Sequence, residues 1–348
     1  MSGGLPPVAV VGATGHTGRF VVAELIARGL APILVGRDPA RLEKLGSEVS
    51  VEARRVADMA DPASLDAALA GAGAVINCAG PFFDTAMPVI DAALRARISY
   101  IDVTAEQATA LAIHADRDAP ARAAGVAVVP AMAFYGGLGD LLATAAAGGW
   151  TDPDEIELAV ALDEWHPTRG TRETGRRNTA RRLIVDQGRL APLSDPAPQK
   201  RWAFPEPFGS QDVLAVPLTE IILISRHLQA GRILSFMNLK PLADLRDPAT
   251  SAPAAVDERG RSAQRFVLDV VVRRGGEERR ATALGQDIYA VTAPLVVEAA
   301  QRLLSGKARS ASGVLAPGEL FDARAFLSAL APESLTVTFS TDLRKAEP

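Results

Sequence analysis

The chain has one cysteine, Cys78, in 348 residues. No disulfide can close within it and no thiolate cluster can hold a metal. A reducing, cytoplasmic setting is therefore expected. Histidine is also scarce, at four residues. None is paired at the i, i+4 spacing of a helical zinc site, so no metal site is expected. The formal net charge is −4, which gives no overall pull toward nucleic acid or anionic lipid. The arginines between 169 and 182 lack the interleaved aromatics of a nucleic-acid surface. A spanning helix needs about 20 mostly apolar residues. The nearest run, Val213 to Ser225, is shorter and carries Pro217 and Glu220, so no transmembrane segment is expected. The first apolar run has no positive flank and leads straight into glycines, which reads as a strand rather than a secretion signal.

What is present is a rhythm. Short β-branched runs at 8–11, 32–36, 51–56, 74–78, 99–103 and 126–130 alternate with helical patterns. Asp38-Pro39 and Asp61-Pro62 look like helix caps followed by proline at the first helical position. The alternation predicts an α/β, Rossmann-type parallel sheet with helices on both faces. After about residue 131 the rhythm changes. Residues 186–212 hold many prolines and read as a surface excursion. The second half of 166–182 reads as helical. Strands over 265–273 and 279–288 meet at Gly275-Gly276, which predicts an antiparallel hairpin. A helix over 292–304, a short one near 322–330 and a strand over 335–339 follow. The second domain is thus expected to be α+β on an antiparallel sheet.

The first strand runs into Gly12-Ala13-Thr14-Gly15-His16-Thr17-Gly18 and then a helix. Gly12 permits a tight turn, Gly15 lets backbone approach a pyrophosphate, and Gly18 lets the helix pack on the strand. The helix N-terminus offers free N–H groups to phosphate, and Thr14 and Thr17 add hydroxyls. Three glycines alone are a weak signal, and the strand–turn–helix context is what gives them weight. At the end of the second strand stands Arg37, where an NAD-binding chain usually has an acid. A guanidinium suits a 2′-phosphate, so NADP(H) is expected in preference to NAD(H). Asp38 would oppose that phosphate unless it caps the next helix. Asp58, ending the third strand, could accept from the adenine amino group or simply cap a turn. Cys78, Ala79, Gly80, Pro81 and Phe82 end the fourth strand, where ligands of such sheets sit. Cys78 is expected to pack as a small buried hydrophobe rather than act as a nucleophile.

The stretches GATGHTGR, GRD, NCAGPF, YIDVTAE and PAMAFYGGLGDLLA together resemble the saccharopine dehydrogenase-like family, most closely its bacterial branch of trans-acting enoyl reductases. The closing GQDIYAVTAPLVVEAAQRLL and GVLAPGELFDARAFLSAL resemble it as well. The resemblance covers the first 140 residues well, the last 65 or so moderately and the middle poorly. It implies a Rossmann domain at 1–130, an inserted α+β substrate or dimerisation domain at 131–290, and a segment at 291–348 returning to the Rossmann domain. It also implies NAD(P)H-linked reduction, with homodimer formation and peripheral lipid association as known features of relatives. His16 departs from the usual aromatic of the glycine loop, and Ala105 from the glycine of T-G-E.

Hydride transfer asks the protein for orientation and for a proton donor or charge stabiliser. Neither a Tyr-x-x-x-Lys pair nor a spaced His/Asp pair occurs. Thr104 could bond a carboxamide, and Asp102 or Glu106 could relay a proton or cap a helix. Tyr135 could be a general acid or a packed rim aromatic. His166 is the other candidate to supply the proton or polarise the acceptor, and it stands in a loop resembling the family's G-G-T stretch, which implies that the loop faces the cleft. There Arg169, Thr171 and Arg172 could hold a carboxylate or phosphate. Arg176, Arg177, Arg181 and Arg182 read as a solvated helix face. The expected activity is NADPH-dependent reduction of a C=C, C=N or C=O bond in a small or carrier-bound substrate. A non-catalytic NADP(H)-binding sensor or scaffold is the alternative.

Overall fold

Val8–Val11 is apolar throughout and wholly buried, as a strand covered on both faces must be. A computed structural model, describing residues 4–309, 312–331 and 333–342, makes it β1 of a seven-stranded parallel sheet. The others are β2 (Pro32–Gly36), β3 (Arg54–Val56), β4 (Ala74–Asn77), β5 (Ser99–Asp102), β6 (Ala127–Val129) and the late strand β15 (Gly313–Val314). Their order is β15-β6-β5-β4-β1-β2-β3. The winding reverses between β1 and β4, which opens a crevice beyond the strand ends there.

Helices α1 (His16–Ala27), α2 (Pro39–Glu48), α3 (Pro62–Leu69), α4 (Phe82–Ala96) and α5 (Gln107–Ala124) fill the crossovers. Leu65 and Leu69 of α3, Val89 and Ile90 of α4 and Ile113 of α5 bury against Val75 and Tyr100. On the other side α1 packs with α10 (Thr292–Leu304), and Arg28 reaches Glu298 at 2.5 Å. Asp38 and Asp61 do cap α2 and α3, accepting from Arg41 N at 3.1 Å and Ala63 N at 3.0 Å. This unit comprises Met1–Ala133 and Thr292–Leu315.

The second unit comprises Phe134–Val291 and Ala316–Pro348. Its sheet has nine strands: β7 (Glu155–Leu162), β8 (Leu183–Asp186), β9 (Arg189–Pro192), β10 (Gln199–Ala203), β11 (Ser210–Ala215), β12 (Arg232–Asn238), β13 (Arg265–Arg274), β14 (Glu277–Gln286) and β16 (Leu335–Asp342). The spine runs β10-β11-β12-β7-β13-β14-β16, with β8 on β12 and β9 on β8. The β13–β14 hairpin turns at Gly275 and Gly276, with φ of +56° and +83°, values glycine adopts without strain. A π-helical turn (Phe134–Leu138) leads into α6 (Gly139–Ala147), which packs on β13 and β14. Shorter helices complete the unit: α7 (Arg169–Arg177), α8 (Thr219–Ile224), α9 (Leu239–Arg246), α11 (Pro317–Leu320) and α12 (Ala323–Leu330). Buried Asp140 of α6 bonds His227 Nε2 at 2.6 Å and accepts from Gly318 N at 2.6 Å, fixing the returning chain.

Four expectations are corrected. The sheet is mixed, because β12 pairs with β7 in parallel. The proline-rich stretch 186–212 contains strands, and its cis prolines Pro196 and Pro207 lie between strands rather than in them. Only 292–315 returns to the first unit, since the chain from Ala316 clusters with the second, where β16 pairs with β14. Helix α7 starts at Arg169, earlier than expected, because Thr168 Oγ1 accepts from Thr171 N at 3.1 Å and caps it.

Candidate nucleotide and acceptor sites

Gly12 has φ +80°, and a Cβ there would lie 2.8 Å from Ala79 N. A Cβ on Gly18 would lie 2.2 Å from Gly12 O, so α1 sits directly on the turn. At Gly15 the nearest obstacle is Gly12 O at 3.1 Å, so that face of the turn is otherwise bare. Gly15 is also the N-cap of α1, and no side chain caps the helix. The first-turn amides, His16, Thr17 and Gly18, thus form an anion-binding end beside a backbone that a phosphate can approach. Ala13 is fully buried, while Thr14, His16 and Thr17 are half-buried around this end. His16 meets Phe20 edge-on at 5.3 Å.

Arg37 is exposed at the end of β2, and no hydrogen bond or ion pair engages its guanidinium among the described residues. Asp38 caps α2, accepting from Arg41 N through Oδ1. Sequence reasoning missed Arg41. One turn into α2, its Nη2 donates to Thr14 O at 2.9 Å and braces the glycine turn from the Arg37 side. The i, i+4 spacing from Arg37 was its only signal. Asp58 is exposed and accepts from Ala60 N at 2.9 Å, the geometry of a turn residue.

Beyond β4 the chain is tied down by buried polar groups. Asn77 Oδ1 accepts from Ala79 N at 3.0 Å, and its Nδ2 donates to Tyr100 Oη at 3.2 Å. Tyr100 donates to Asp102 at 2.9 Å. Asp102 also accepts from Thr104 N and Ala131 N, which ties the ends of β5 and β6 together. Burial pushes Asp102 up to about 6. Thr104 is fully buried, and its hydroxyl accepts from Glu106 N at 3.1 Å, so it serves the loop rather than presenting to the surface. Glu106 accepts from Phe82 N and Phe83 N at 3.0 Å each and from Thr109 Oγ1, and so caps α4 from the loop after the neighbouring strand β5. This is why α4 begins as early as Phe82, where the helical pattern of the sequence reads as starting near residue 86. Gly80 is exposed, Pro81 half-buried and Phe82 buried. Burial, then the Asp102 charge, pushes the Cys78 thiol up to about 12, so Cys78 is no thiolate.

In the second unit Tyr135 lies in the π-helical turn, a geometry frequent at functional sites. Its ring meets Phe134 edge-on at 4.9 Å, and its hydroxyl is buried without a hydrogen-bond partner. Glu220 and Arg182 act on it electrostatically. His166 is held by Ser251 O at 3.2 Å and Glu164 at 3.3 Å. Thr171 Oγ1 bonds Tyr289 Oη at 2.9 Å, and Tyr289 also accepts from Trp165 Nε1 at 3.0 Å. The Arg172 guanidinium donates to the carbonyls of Leu245, Asp247 and Thr250, and Arg169 is exposed. Of the expected acceptor-binding side chains, Thr171 and Arg172 are therefore engaged in holding loops. Arg182 is not on a helix face, since α7 ends at Arg177. Among the described residues no group of three metal-ligating side chains occurs, and no helix is long and apolar enough to cross a membrane.

Residues 8–129 match the family model described as the saccharopine dehydrogenase NADP binding domain. The lipid droplet localized protein of Caenorhabditis elegans is 34% identical over 36% of this chain and 33% of its own length. The human saccharopine dehydrogenase-like oxidoreductase is 30% identical over 28% of this chain and 27% of its own. The chain thus spans a third or less of these relatives. The apo structure of histidine-tagged saccharopine dehydrogenase (L-Glu forming) from Saccharomyces cerevisiae superposes with a TM-score of 0.67 at 16% identity. It covers 96% of this chain and 100% of its own, so the overall fold is of that kind. Residues 8–129 are thus similar to the NADP-binding domain of saccharopine dehydrogenase, and the fold as a whole to that of the yeast enzyme.

Proposed function

We propose that this chain is an NADPH-dependent oxidoreductase reducing a C=C, C=N or C=O bond of a small or carrier-bound organic substrate, with enoyl reduction as its finer form. The observation that carries the reading is the pairing of a bare glycine turn with Arg37, exposed and unengaged at the end of β2. The backbone amides from His16 to Gly18 hold the pyrophosphate, Arg37 holds the 2′-phosphate, and the Cys78–Phe82 loop lines the ribose end. Bound NADPH supplies the hydride. Tyr135 holds the proton on its hydroxyl and delivers it to the acceptor, while Arg169, exposed at the start of α7, meets a distal anionic group. A general acid of this kind contributes roughly 10²–10⁴-fold.

The test is loss of reduced-nicotinamide absorbance with enoyl, imine and ketone acceptors, for wild type and Tyr135→Phe. Turnover that falls on removing the hydroxyl, with NADPH affinity kept, supports the reading. An undiminished rate in Tyr135→Phe contradicts the role of Tyr135. One observation favours the sensor alternative: Asp102, Thr104 and Glu106 are all engaged in structural bonds, leaving the first unit without a proton donor at these strand ends. Tight NADPH binding with no consumption by any acceptor would establish it.

A further inference from the structure

Glu220 is buried in α8, at 4% exposure. Its Oε1 is satisfied, accepting from Leu218 N at 2.8 Å and from the Ser235 hydroxyl. Its Oε2 is buried with no partner, like the hydroxyl of Tyr135. Buried polar atoms nearly always have partners, so two orphans within electrostatic range of each other call for a ligand. The third neighbour is Arg182, just ahead of β8. It is exposed, and Nη1 donates to Pro217 O at 2.9 Å, which leaves other N–H groups of its five available.

Neighbouring groups do not compete. Tyr289 is engaged by Trp165, Thr168 and Thr171, and Asp140 by His227 and Gly318. Burial drives the Glu220 carboxyl upward, toward the neutral acid. In its protonated form that carboxyl is a donor at Oε2, beside a phenol and a guanidinium from two other elements, and the common complement of the three is an oxygen acceptor.

We infer that Tyr135, Glu220 and Arg182 form a binding site for an oxygen bearing full or partial negative charge, a carboxylate or a carbonyl, with Arg182 at its mouth. As an assignment of the acceptor's polar group this rests on the reductase reading, but the site itself is tested without nucleotide. The chain has three tyrosines, so protein carrying [ζ-13C]tyrosine gives three resonances, and Tyr135→Phe assigns one. Acetate and acetone are titrated separately into the nucleotide-free protein. A saturable movement of the Tyr135 resonance, with Tyr100 unmoved, is expected. Saturation by acetate identifies a carboxylate site, and by acetone alone a carbonyl site.

Acetate should bind at least tenfold more weakly to Arg182→Met, and Arg182→Lys should restore most of the affinity. Glu220→Gln keeps a donor, so it should retain acetate binding and abolish its weakening as pH rises. No saturable movement with either probe, which would leave the orphans to water, overturns the inference. Where acetate saturates the wild type, so does equal acetate binding in Arg182→Met, or loss of binding in Glu220→Gln. A failure here leaves NADPH binding untouched, and a failure of NADPH binding leaves this result standing.

Discussion

Glu106 holds the first turn of α4 from outside that helix, accepting from the amides of Phe82 and Phe83 through separate carboxylate oxygens. A carboxylate at a helix N-terminus satisfies orphan donors and meets the positive end of the helix dipole. The Cys78–Phe82 loop is thereby anchored at its far end by a residue of the next crossover.

Replacing Glu106 with Ala strands two amides and the Thr109 hydroxyl. Unfolding in urea should show stability lower by about 1–3 kcal/mol, the cost of leaving buried donors unpaired. A loss under about 0.5 kcal/mol, the level of an ordinary surface change, would contradict the capping role.

Asp102 gives a pH dependence of defined sign. Its folded value of about 6 lies above the ordinary 3.8, so the folded state keeps a proton that the unfolded state has released. Its contribution to stability is full below the unfolded value and is lost as pH rises through about 6. Each pH unit between the two values carries about 1.4 kcal/mol at most. Stability measured from pH 4 to 7 should fall from this source, and Asp102→Asn should flatten that part of the profile. An unchanged slope in the variant would show that Asp102 does not titrate there.

The glycines separate fold from binding. Gly18→Ala should lower the melting temperature markedly, because its Cβ would strike Gly12 O at 2.2 Å. Gly15→Ala meets only Gly12 O at 3.1 Å, so it should melt near wild type yet lose most NADPH affinity. Equal loss of stability in both variants would mean that Gly15 is a folding residue rather than a cradle.

Much of the first unit was legible because its physics is local. Proline after aspartate marked α2 and α3, and continuous apolar runs marked the strands. The start of α4 was not legible, since its cap comes from Glu106, 24 residues on. In the second unit, prolines masked strands β8 to β11, and β12 was overlooked because its partner in parallel, β7, is distant in sequence. Arg37 could be found from its position after a strand. Arg41 showed only through its i, i+4 spacing from Arg37, and Glu220 and Arg182 did not show, because their roles depend on the neighbours that folding brings to them.

The central claim is most directly tested by calorimetric titration of the protein with NADPH and with NADH, beside Arg37→Ala. A guanidinium on a 2′-phosphate is worth about 1.5–3 kcal/mol. NADPH affinity should therefore drop roughly 10–100-fold in the variant while NADH affinity stays within about twofold. Arg37→Ala binding NADPH as tightly as wild type, or wild type binding neither nucleotide, would contradict the account.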